Sequence, residues 1–512
     1  MSRLKSLVKD TAIYGVSSIL GRTLNWLLVP LYTQYLLPAD YGIVTEFYAY
    51  VAFLVIIYTY GMETAFFRYS TKLTNSNKQI FNQSQSSIIF TSLILSGLAV
   101  IFATPIVNFL EYPGSERYVI WFAIIIAIDA IVAIPFAKLR LENKSKKFAA
   151  IKLASIFINI GFNLFFIILC PIIVNSESPS FLRSVIEAFF DDAHLVDYIF
   201  ISNLIASCFL IILFLRSILT VHFQLNKKLL WKMYVYAFPI MIMGLAGVTN
   251  EMLSRAVLKK WLPANFYPDY SNQAALGIFG AVYKLSIFMT LAIQAFRYAA
   301  EPFFFSRAKD KDSKELFSNV MHWFIIFSSF IFIIISLNLD VIGYLFLRNP
   351  TYREGLNVVP VLLLANLFYG IYYNLSVWFK LTDKTYYGTI ISIFGAVVTI
   401  LLNYLLIPIL GYLGSSLASL ACYISMALLS FSLGKKHYSI QYKTGKGLTY
   451  IVLSSLIIFV GYYQHTSFSA TNKLIQLSMI LIFGTIVWIL EKDSIKTIRH
   501  SFKSNHENKN HK

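Results

Sequence analysis

The chain has 512 residues, of which 57% are hydrophobic and only 13% charged, with 43 Lys and Arg against 25 Asp and Glu, a formal net charge of +18. Globular proteins carry about 25% charged residues, so this composition excludes a water-soluble fold, and its high hydrophobicity excludes a disordered chain. Three cysteines in a chain of this length exclude a disulfide scaffold.

Long apolar runs recur along the whole chain. A helix needs about 20 residues to cross roughly 30 Å of hydrocarbon, and each run is close to that length. We therefore predict an all-α, polytopic membrane protein with about fourteen transmembrane helices. The predicted spans are 11–36, 41–60, 88–109, 118–137, 149–170, 197–215, 234–258, 275–300, 320–338, 357–379, 386–408, 412–433, 447–463 and 474–490.

The cations are distributed unevenly between the two sets of connecting segments. If both termini lie on one side, the segments of that side contain 32 of the 43 Lys and Arg, the opposite segments contain 7, and four lie within spans. By the positive-inside rule this asymmetry predicts that the cation-rich side is cytoplasmic, with both termini in the cytoplasm of a bacterial inner membrane. The net charge therefore reflects topology, and no nucleic-acid partner is predicted.

Two segments that are six spans apart resemble each other. Residues 37–43 (LPADYGI) correspond to 262–264 (LPA) followed by 276–278 (LGI), and the offsets agree, with 235 positions from Gly42 to Gly277 and 238 from Glu63 to Glu301. Because six is an even number, the two copies insert in the same orientation. This pattern predicts two pseudo-symmetric six-helix lobes with a substrate held between them near the midplane, followed by two C-terminal helices.

The predicted organisation of the chain follows from the spans and the repeat. It comprises a cytoplasmic N-terminus (1–10), an N-lobe (11–216), a cytoplasmic linker (217–233), a C-lobe (234–434), two further spans (447–490) and a cytoplasmic tail (491–512). The longest segment on the opposite side, 171–196, is acidic and is expected to contain a short amphipathic helix around Phe181 to Phe190.

Ionisable groups inside the spans indicate the function, since a charge at the bilayer centre costs about 2.5–3.5 kcal/mol even on the insertion scale. Arg22 and Asn25 share one helical stripe of span one, Arg255 lies in span seven, and Lys284 and Arg297 lie in span eight. The planar fork of arginine suits phosphate oxygens. These five residues are therefore predicted to bind an anionic, phosphorylated substrate in a central cavity.

Carboxylates in or beside the same spans are candidates for a gate or for binding a coupling proton or sodium ion, and the sequence does not choose among them. They are Glu63, Asp129, Glu251 and Glu301. In the alternative interpretation, the charges only neutralise one another within the bundle. The pairs would then be Arg255 with Glu251, Arg22 with Glu46 or Asp129, and Arg297 with Glu301.

The beginning of the chain resembles a known family. Residues 11–22 (TAIYGVSSILGR), 29–33 (VPLYT) and 37–43 (LPADYGI) are similar to the start of the polysaccharide-biosynthesis (O-antigen type) flippases of the multidrug/oligosaccharidyl-lipid/polysaccharide exporter (MOP, MATE-like) superfamily. The resemblance is specific over the first 70 residues, and the fourteen-span layout extends it over the whole chain.

The resemblance implies a cationic central cavity and the flipping of an undecaprenyl-diphosphate-linked oligosaccharide to the periplasmic face by alternating access, for cell-surface polysaccharide synthesis. It also implies that Arg22 and Arg255 match cavity cations of related flippases, whereas Lys284 and Arg297 align less securely. Expected partners are the lipid-linked oligosaccharide, the bilayer, and the polysaccharide polymerase and chain-length machinery.

Other functions remain open at this point. A MATE-type drug exporter would favour a cavity dominated by carboxylates, a membrane glycosyltransferase or O-antigen polymerase would need a longer outer loop than 171–196, and a scaffold would need no charge within the membrane. The sequence contains no GxxxxGK, HExxH or CxxC motif. We therefore predict a transporter rather than an enzyme, with no metal or cofactor beyond a coupling ion.

Overall fold

The computed structural model describes residues 15–17, 19–72, 77–176, 181–223, 226–308, 310–463 and 470–494, and the regular structure of these residues is helical. Thirteen of the described helices are long and apolar enough to cross a membrane. They coincide with predicted spans two to fourteen. Span one is described only in part, as helix over 19–26 and Leu28–Tyr35. The predicted polytopic all-α fold is confirmed.

We number the membrane helices α1–α14 in chain order. Helix α1 is Leu28–Tyr35 with the preceding turns. The others are α2 (Pro38–Lys72), α3 (Asn77–Ile101), α4 (Glu116–Leu141), α5 (Ser145–Val174), α6 (Asp192–Leu219), α7 (Lys227–Trp261), α8 (Asn272–Arg307), α9 (Ser313–Leu337), α10 (Pro350–Leu381), α11 (Tyr386–Leu410), α12 (Tyr412–His437), α13 (Thr444–Gly461) and α14 (Asn472–Leu490). Short helices Ala103–Phe109, Phe181–Glu187 and Leu339–Phe346 lie between them.

Local sequence sets where several of these helices begin. Pro38 opens α2, where its missing N–H costs no helical hydrogen bond. The side chain of Asn226 accepts from the backbone N–H of Leu229 at the start of α7, and that of Ser271 accepts from Ala274 at the start of α8. These caps satisfy donors that would otherwise lie unpaired near the membrane surface.

Two membrane helices are interrupted along their length. Helix α2 turns at Tyr60 (φ 33°) and Gly61 (φ 73°), and a Cβ at Gly61 would lie 2.7 Å from the carbonyl oxygen of Ala237. Glycine therefore allows the second part of α2 to pack closely on α7. Helix α8 tightens into one turn of 3₁₀ helix over Lys284–Ser286.

Successive spans run in opposite directions, so the connecting segments alternate between two ends of the bundle. We call the end that holds the segments after α2, α4, α6, α8, α10 and α12 the cation-rich end, and the opposite one the cation-poor end. We refer to α1–α6 as the N-terminal half and to α7–α12 as the C-terminal half.

The two halves meet along α1, α2, α7 and α8. Trp26 in the first span packs edge-on against Phe288 of α8, with ring centroids 5.1 Å apart. The repeat-related residues Gly42 and Gly277 meet, because a Cβ at Gly277 would clash with the carbonyl of Pro38 and lie 2.9 Å from the nitrogen of Gly42. The repeat read from the sequence thus corresponds to a close helix contact between α2 and α8.

Helices α13 and α14 are attached to α9 by a buried carboxylate at the cation-rich end. Glu491 is fully buried, its Oε1 accepts from the hydroxyl of Tyr450 at 2.9 Å and lies 3.0 Å from Nε2 of His322, and its Oε2 accepts from Ser494 at 2.9 Å. Burial raises the pKa of Glu491, but the hydrogen bonds from Tyr450, Ser494 and His322 outweigh it and lower this pKa to about 2.

The short helix predicted between α5 and α6 is present as Phe181–Glu187. Ile186 and, just beyond it, Phe190 are buried against the bundle, whereas Phe181 is 82% exposed. Arg183 and Glu187 form an ion pair along the helix with Nε 2.7 Å from Oε1. The segment is therefore amphipathic, as its sequence predicts.

Candidate substrate site between the two halves

Arg255 lies deep in α7 with only 8% of its surface exposed. Its guanidinium lies over the ring of Tyr283, 4.1 Å from the centroid, and its Nη2 donates to the backbone carbonyl of Glu251 at 2.9 Å. Within the described chain its Nε donor has no hydrogen-bond partner. The guanidinium is thus held in place by an aromatic face and a neutral carbonyl, which leaves its charge available to an anion.

Arg22 approaches the same region from α1. Its side chain is exposed, and with the amide oxygen of Gln294 oriented toward the guanidinium, Nη1 donates to that oxygen at 2.6 Å. Gln294 belongs to α8, so this contact joins the two halves. Asn25, one turn further along α1, also has an exposed side chain.

Lys284 and Arg297 contribute two more cations from α8. Lys284 lies in the 3₁₀ turn, where its side chain is exposed although Val282 and Leu285 on either side are fully buried. Arg255 and Glu251 are the charged groups that act electrostatically on Lys284. Arg297 is exposed and lies over the ring of Tyr373, 5.2 Å from its centroid.

Tyr369 of α10 lies near several of these charged residues. Tyr369 is within electrostatic reach of Glu251, Arg297 and Arg22, which come from three different helices. Its ring packs on Tyr423 of α12 with centroids 5.0 Å apart. The structure therefore brings the cations predicted on α1, α7 and α8 around one group of tyrosines.

Among the described residues, Arg22 and Arg255 are not neutralised in the way that the alternative interpretation requires. Among the described residues, no ion pair joins Arg22 or Arg255 to a carboxylate. Glu46, one of the two partners that the alternative interpretation gives for Arg22, pairs with Lys259 instead. The suggested pair of Arg297 with Glu301 lies outside the described residues, because the side chain of Glu301 is not described.

The predicted gate or coupling carboxylates are in different places. Glu63 forms an ion pair with Arg140 of α4, near the cation-rich end. Asp129 lies within the N-terminal half, where it accepts from the hydroxyl of Ser207 at 3.2 Å. Glu251 is exposed beside the cations. Of these three, only Glu251 belongs to the cation cluster, and the roles of all three remain predictions.

A buried ion pair closes the cation-poor end between the halves. Nζ of Lys259 lies 3.1 Å from Oε2 of Glu46, which is fully buried, and donates to the carbonyl of Leu110 at 2.6 Å. The hydroxyl of Tyr112 donates to the same Glu46 oxygen at 2.5 Å. Burial and then the Glu46 carboxylate raise the pKa of Tyr112 well above its usual range, so this hydroxyl stays a donor.

This pair was not found from the sequence. The predicted span 234–258 ends one residue before Lys259 and so places this lysine in a connecting segment, but α7 continues to Trp261 and Lys259 is buried. One feature of the sequence does indicate the longer helix. No proline interrupts α7 after Lys259 until Pro263, which lies two residues beyond Trp261. We call Glu46, Lys259 and Tyr112, together with the glycine contact of Gly42 and Gly277, the inter-half seal.

Comparisons with known proteins agree with the overall fold. A family model described as "Polysaccharide biosynthesis protein" matches residues 33–172, and the MatE family model matches residues 270–405. Over 502 residues the chain is 23% identical to an uncharacterized membrane protein of Methanocaldococcus jannaschii, covering 91% of this chain and 89% of the relative.

Solved structures share the fold. The lipid II flippase MurJ in an inward closed conformation superimposes with a TM-score of 0.67 at 16% identity, covering 94% of this chain and all of that one. A MATE family multidrug transporter in an inward-facing conformation gives 0.59 at 14% identity, covering 81% and 94%, and a mutant of the Vibrio cholerae MATE transporter VcmN gives 0.58 at 13%, covering 86% and 99%. The chain therefore shares the fold of the MurJ flippase and of the MATE transporters.

The arrangement of these charges has a clear chemical capacity. Exposed and partly buried cations from both halves surround one region, and the described residues include no cluster of three or more His, Cys, Asp or Glu that could hold a metal ion. Guanidinium groups in a medium of low dielectric attract anions more strongly than they do in water. That Arg22, Asn25, Arg255, Lys284 and Arg297 bind substrate remains a prediction.

Proposed function

We propose that this protein is a flippase of the MOP superfamily, which carries an undecaprenyl-diphosphate-linked oligosaccharide across the cytoplasmic membrane for cell-surface polysaccharide synthesis. The observation that carries the proposal is that Arg22 and Glu251, from the two halves, both lie within electrostatic reach of Tyr369. Arg255 donates to the carbonyl of Glu251, and neither Arg22 nor Arg255 forms an ion pair with a described carboxylate. Two guanidinium forks of this kind match the two phosphates of a diphosphate. The match of the first half to a polysaccharide biosynthesis family supports the same substrate class.

The proposed mechanism is alternating access between an N-lobe (11–216) and a C-lobe (234–434), with both termini cytoplasmic. The diphosphate and its sugar enter between the lobes and bind at Arg22, Asn25, Arg255, Lys284 and Arg297, while the prenyl tail stays in lipid. Opening toward the periplasm then requires the inter-half seal to part. The negative-inside potential, about 2.3 kcal/mol per charge per 100 mV, assists outward movement of an anion.

We also propose that transport is coupled to a proton or a sodium ion. The four candidate carboxylates, Glu63, Asp129, Glu251 and Glu301, differ in how well their surroundings suit an ion site. Glu63 is already engaged by Arg140, whereas Asp129 accepts only a hydroxyl among its described contacts and has Lys152 as its charged neighbour. Glu251 lies among the substrate cations, where its charge opposes binding of an anion. Asp129 is therefore the best candidate for an ion site away from the substrate, and Glu301 stays in the set.

A MATE-type drug or ion antiporter is the second candidate, favoured by the MatE match over residues 270–405. Such a protein binds cationic drugs, so its cavity should be dominated by carboxylates. Here four cations and one described carboxylate, Glu251, surround Tyr369 and Tyr283. The charge balance favours an anionic substrate. A glycosyltransferase or polymerase would use the same lipid-linked sugars, but the family matches point to transporters.

The test is transport by the purified protein in liposomes. A fluorescent prenyl-diphosphate disaccharide is placed in both leaflets, and the fraction that becomes accessible to an impermeant quencher is followed with time. We expect Arg22→Ala and Arg255→Ala each to reduce the rate of transport at least ten-fold. The matched control is Arg307→Ala, since Arg307 is 58% exposed at the cation-rich end and pairs with Asp310. Wild-type rates in both cavity variants would contradict the proposal.

A cellular experiment distinguishes the alternatives. Deletion of the gene should leave lipid-linked oligosaccharide on the inner leaflet and reduce surface polysaccharide. An unchanged leaflet distribution with altered polysaccharide chain length would favour a polymerase instead, and lost resistance to cationic drugs would favour the antiporter.

A further inference from the structure

The N-terminal half contains a hydrogen-bonded set of tyrosines and asparagines that the cation site does not use. The hydroxyl of Tyr32 donates to Oδ1 of Asn163 at 2.8 Å, and Nδ2 of Asn163 donates to Oδ1 of Asn159 at 2.9 Å. Nδ2 of Asn203 donates to the hydroxyl of Tyr48 at 3.0 Å. We call these five residues the tyrosine–asparagine wall. They come from α1, α2, α5 and α6.

The wall adjoins the cation site through Tyr41. The ring of Tyr41 lies 6.1 Å from that of Tyr32 between centroids, and Tyr41 is within electrostatic reach of both Tyr48 and Arg255. Arg255 belongs to the C-terminal half. A molecule whose anionic part is bound at Arg255 would therefore extend toward Tyr32 and Tyr48.

The wall and the cation site differ in charge. All five wall residues are uncharged hydrogen-bonding groups, and four of them, all except Asn163, are partly exposed although they lie within spans. The cations of the site lie on α1, α7 and α8. Such polar groups within a membrane protein face one another or a polar cavity. The surroundings of Tyr41 are thus divided into a cationic part, Arg255 of the C-terminal half, and an uncharged polar part, Tyr32 and Tyr48 of the N-terminal half.

A prenyl-diphosphate sugar has the same division. Its diphosphate is anionic, and the attached sugar is neutral, with hydroxyl groups around its edge and C–H groups on its faces. Amide side chains donate to and accept from hydroxyls at the same time, and tyrosine rings cover apolar sugar faces. Because the Tyr32 and Tyr48 hydroxyls are held by amides, the rings are already oriented before a ligand arrives, which reduces the entropy lost on binding.

We propose that the tyrosine–asparagine wall is the sugar-recognition subsite, which selects the first sugars of the substrate while the cations hold the diphosphate. This inference rests on the proposed function. The wall residues contribute specificity for the glycosyl part, whereas Arg255 contributes affinity for every prenyl diphosphate.

The experiment compares two probes on the purified full-length protein in nanodiscs. One is farnesyl diphosphate, and the other is farnesyl diphosphate that carries an N-acetylglucosamine disaccharide. We expect Tyr48→Leu and Asn203→Leu to weaken binding of the glycosylated probe about ten-fold, as for loss of one stacking or hydrogen-bonding group, with less than a two-fold change for farnesyl diphosphate. Arg255→Ala should weaken both probes equally.

Two controls separate recognition from damage to the fold. Tyr48→Phe keeps the ring and should retain most of the affinity for the sugar. Asn366→Leu removes a buried amide of α10, which donates within its own helix to Leu362, and should leave both probes unaffected.

The possible outcomes separate failure of the sugar subsite from failure of the flippase proposal. Equal losses for the two probes in the wall variants, or equal affinity of the wild type for both probes, would overturn the sugar subsite while leaving the flippase proposal intact. Failure of the wild type to bind either probe would overturn the flippase proposal, and the subsite with it.

Discussion

The inter-half seal makes a quantitative prediction, because it buries an ion pair that exists only while the halves are in contact at the cation-poor end. Glu46 is fully buried and Lys259 is 7% exposed, with Nζ 3.1 Å from Oε2. Removing one partner of a buried pair leaves an uncompensated charge and costs about 3–5 kcal/mol. In Lys259→Met this cost falls on the sealed state alone, since opening returns the Glu46 carboxylate to water.

The expected consequence is a shift of the equilibrium toward the state that is open at the cation-poor end, by roughly 10²- to 10⁴-fold. Replacing both partners, in Glu46→Gln with Lys259→Met, removes the stranded charge. A neutral, well-packed pair is about as stable as an ion pair or more so. The double variant should therefore return to within roughly ten-fold of the parent protein.

Accessibility of a cysteine within the seal measures this shift. Thr45 contacts the position of a Cβ at Gly280, so Thr45→Cys in a background without Cys170, Cys208 and Cys422 reports separation of α2 from α8. Labelling by a membrane-impermeant maleimide should accelerate strongly in Lys259→Met and recover in the double variant.

The neighbouring lysine provides the matched control. Lys260 donates to the carbonyl of Phe109 at 2.9 Å and forms no described ion pair, so Lys260→Met should label as slowly as the parent. Equal labelling of Lys259→Met and the parent, or of the single and double variants, would refute the view that the buried pair holds the halves together.

Three further predictions concern other parts of the molecule. Gly277→Ala places a Cβ against the carbonyl of Pro38 and should lower the melting temperature and raise labelling at Thr45→Cys, whereas Gly247→Ala, with no atom within 4 Å of its Cβ, should be neutral or slightly stabilising; equal effects would show that the glycine contact is unimportant. Arg255→Lys keeps the charge but loses the planar fork, so transport should fall about ten-fold, and an unchanged rate would mean that charge alone suffices. The pKa of Glu491 is about 2 when folded, against 4.5 as its ordinary value, so its stabilising contribution is complete above about pH 4.5 and is lost as the pH falls toward 2. The melting temperature of the wild type should therefore fall more between pH 5 and 2 than that of Glu491→Gln, and parallel decreases would contradict this assignment.

The membrane-spanning helices could be derived from the sequence because each of them depends on local composition. Whether a run such as 386–408 enters hydrocarbon depends on its own length and apolarity, and the structure places α11 at Tyr386–Leu410. The repeat could also be recognised in the sequence. Its two glycines, Gly42 and Gly277, occupy positions where two helix backbones touch and a larger residue would not fit. The positions of Arg22 and Arg255 within spans likewise indicated a polar region between helices before any packing was known.

Which charged residues form ion pairs with one another could be seen only in the tertiary structure. Glu46 pairs with Lys259, 213 positions away in the chain, and not with Arg22, because the rotation of α2 and the length of α7 determine which side chains meet. Burial of Lys259 depends on the neighbouring Leu110 and Tyr112, which no helical pattern of α7 can reveal. The position of a span depends only on the composition of one segment and on the surrounding lipid. A buried ion pair depends on how two helices pack and on the angle between them.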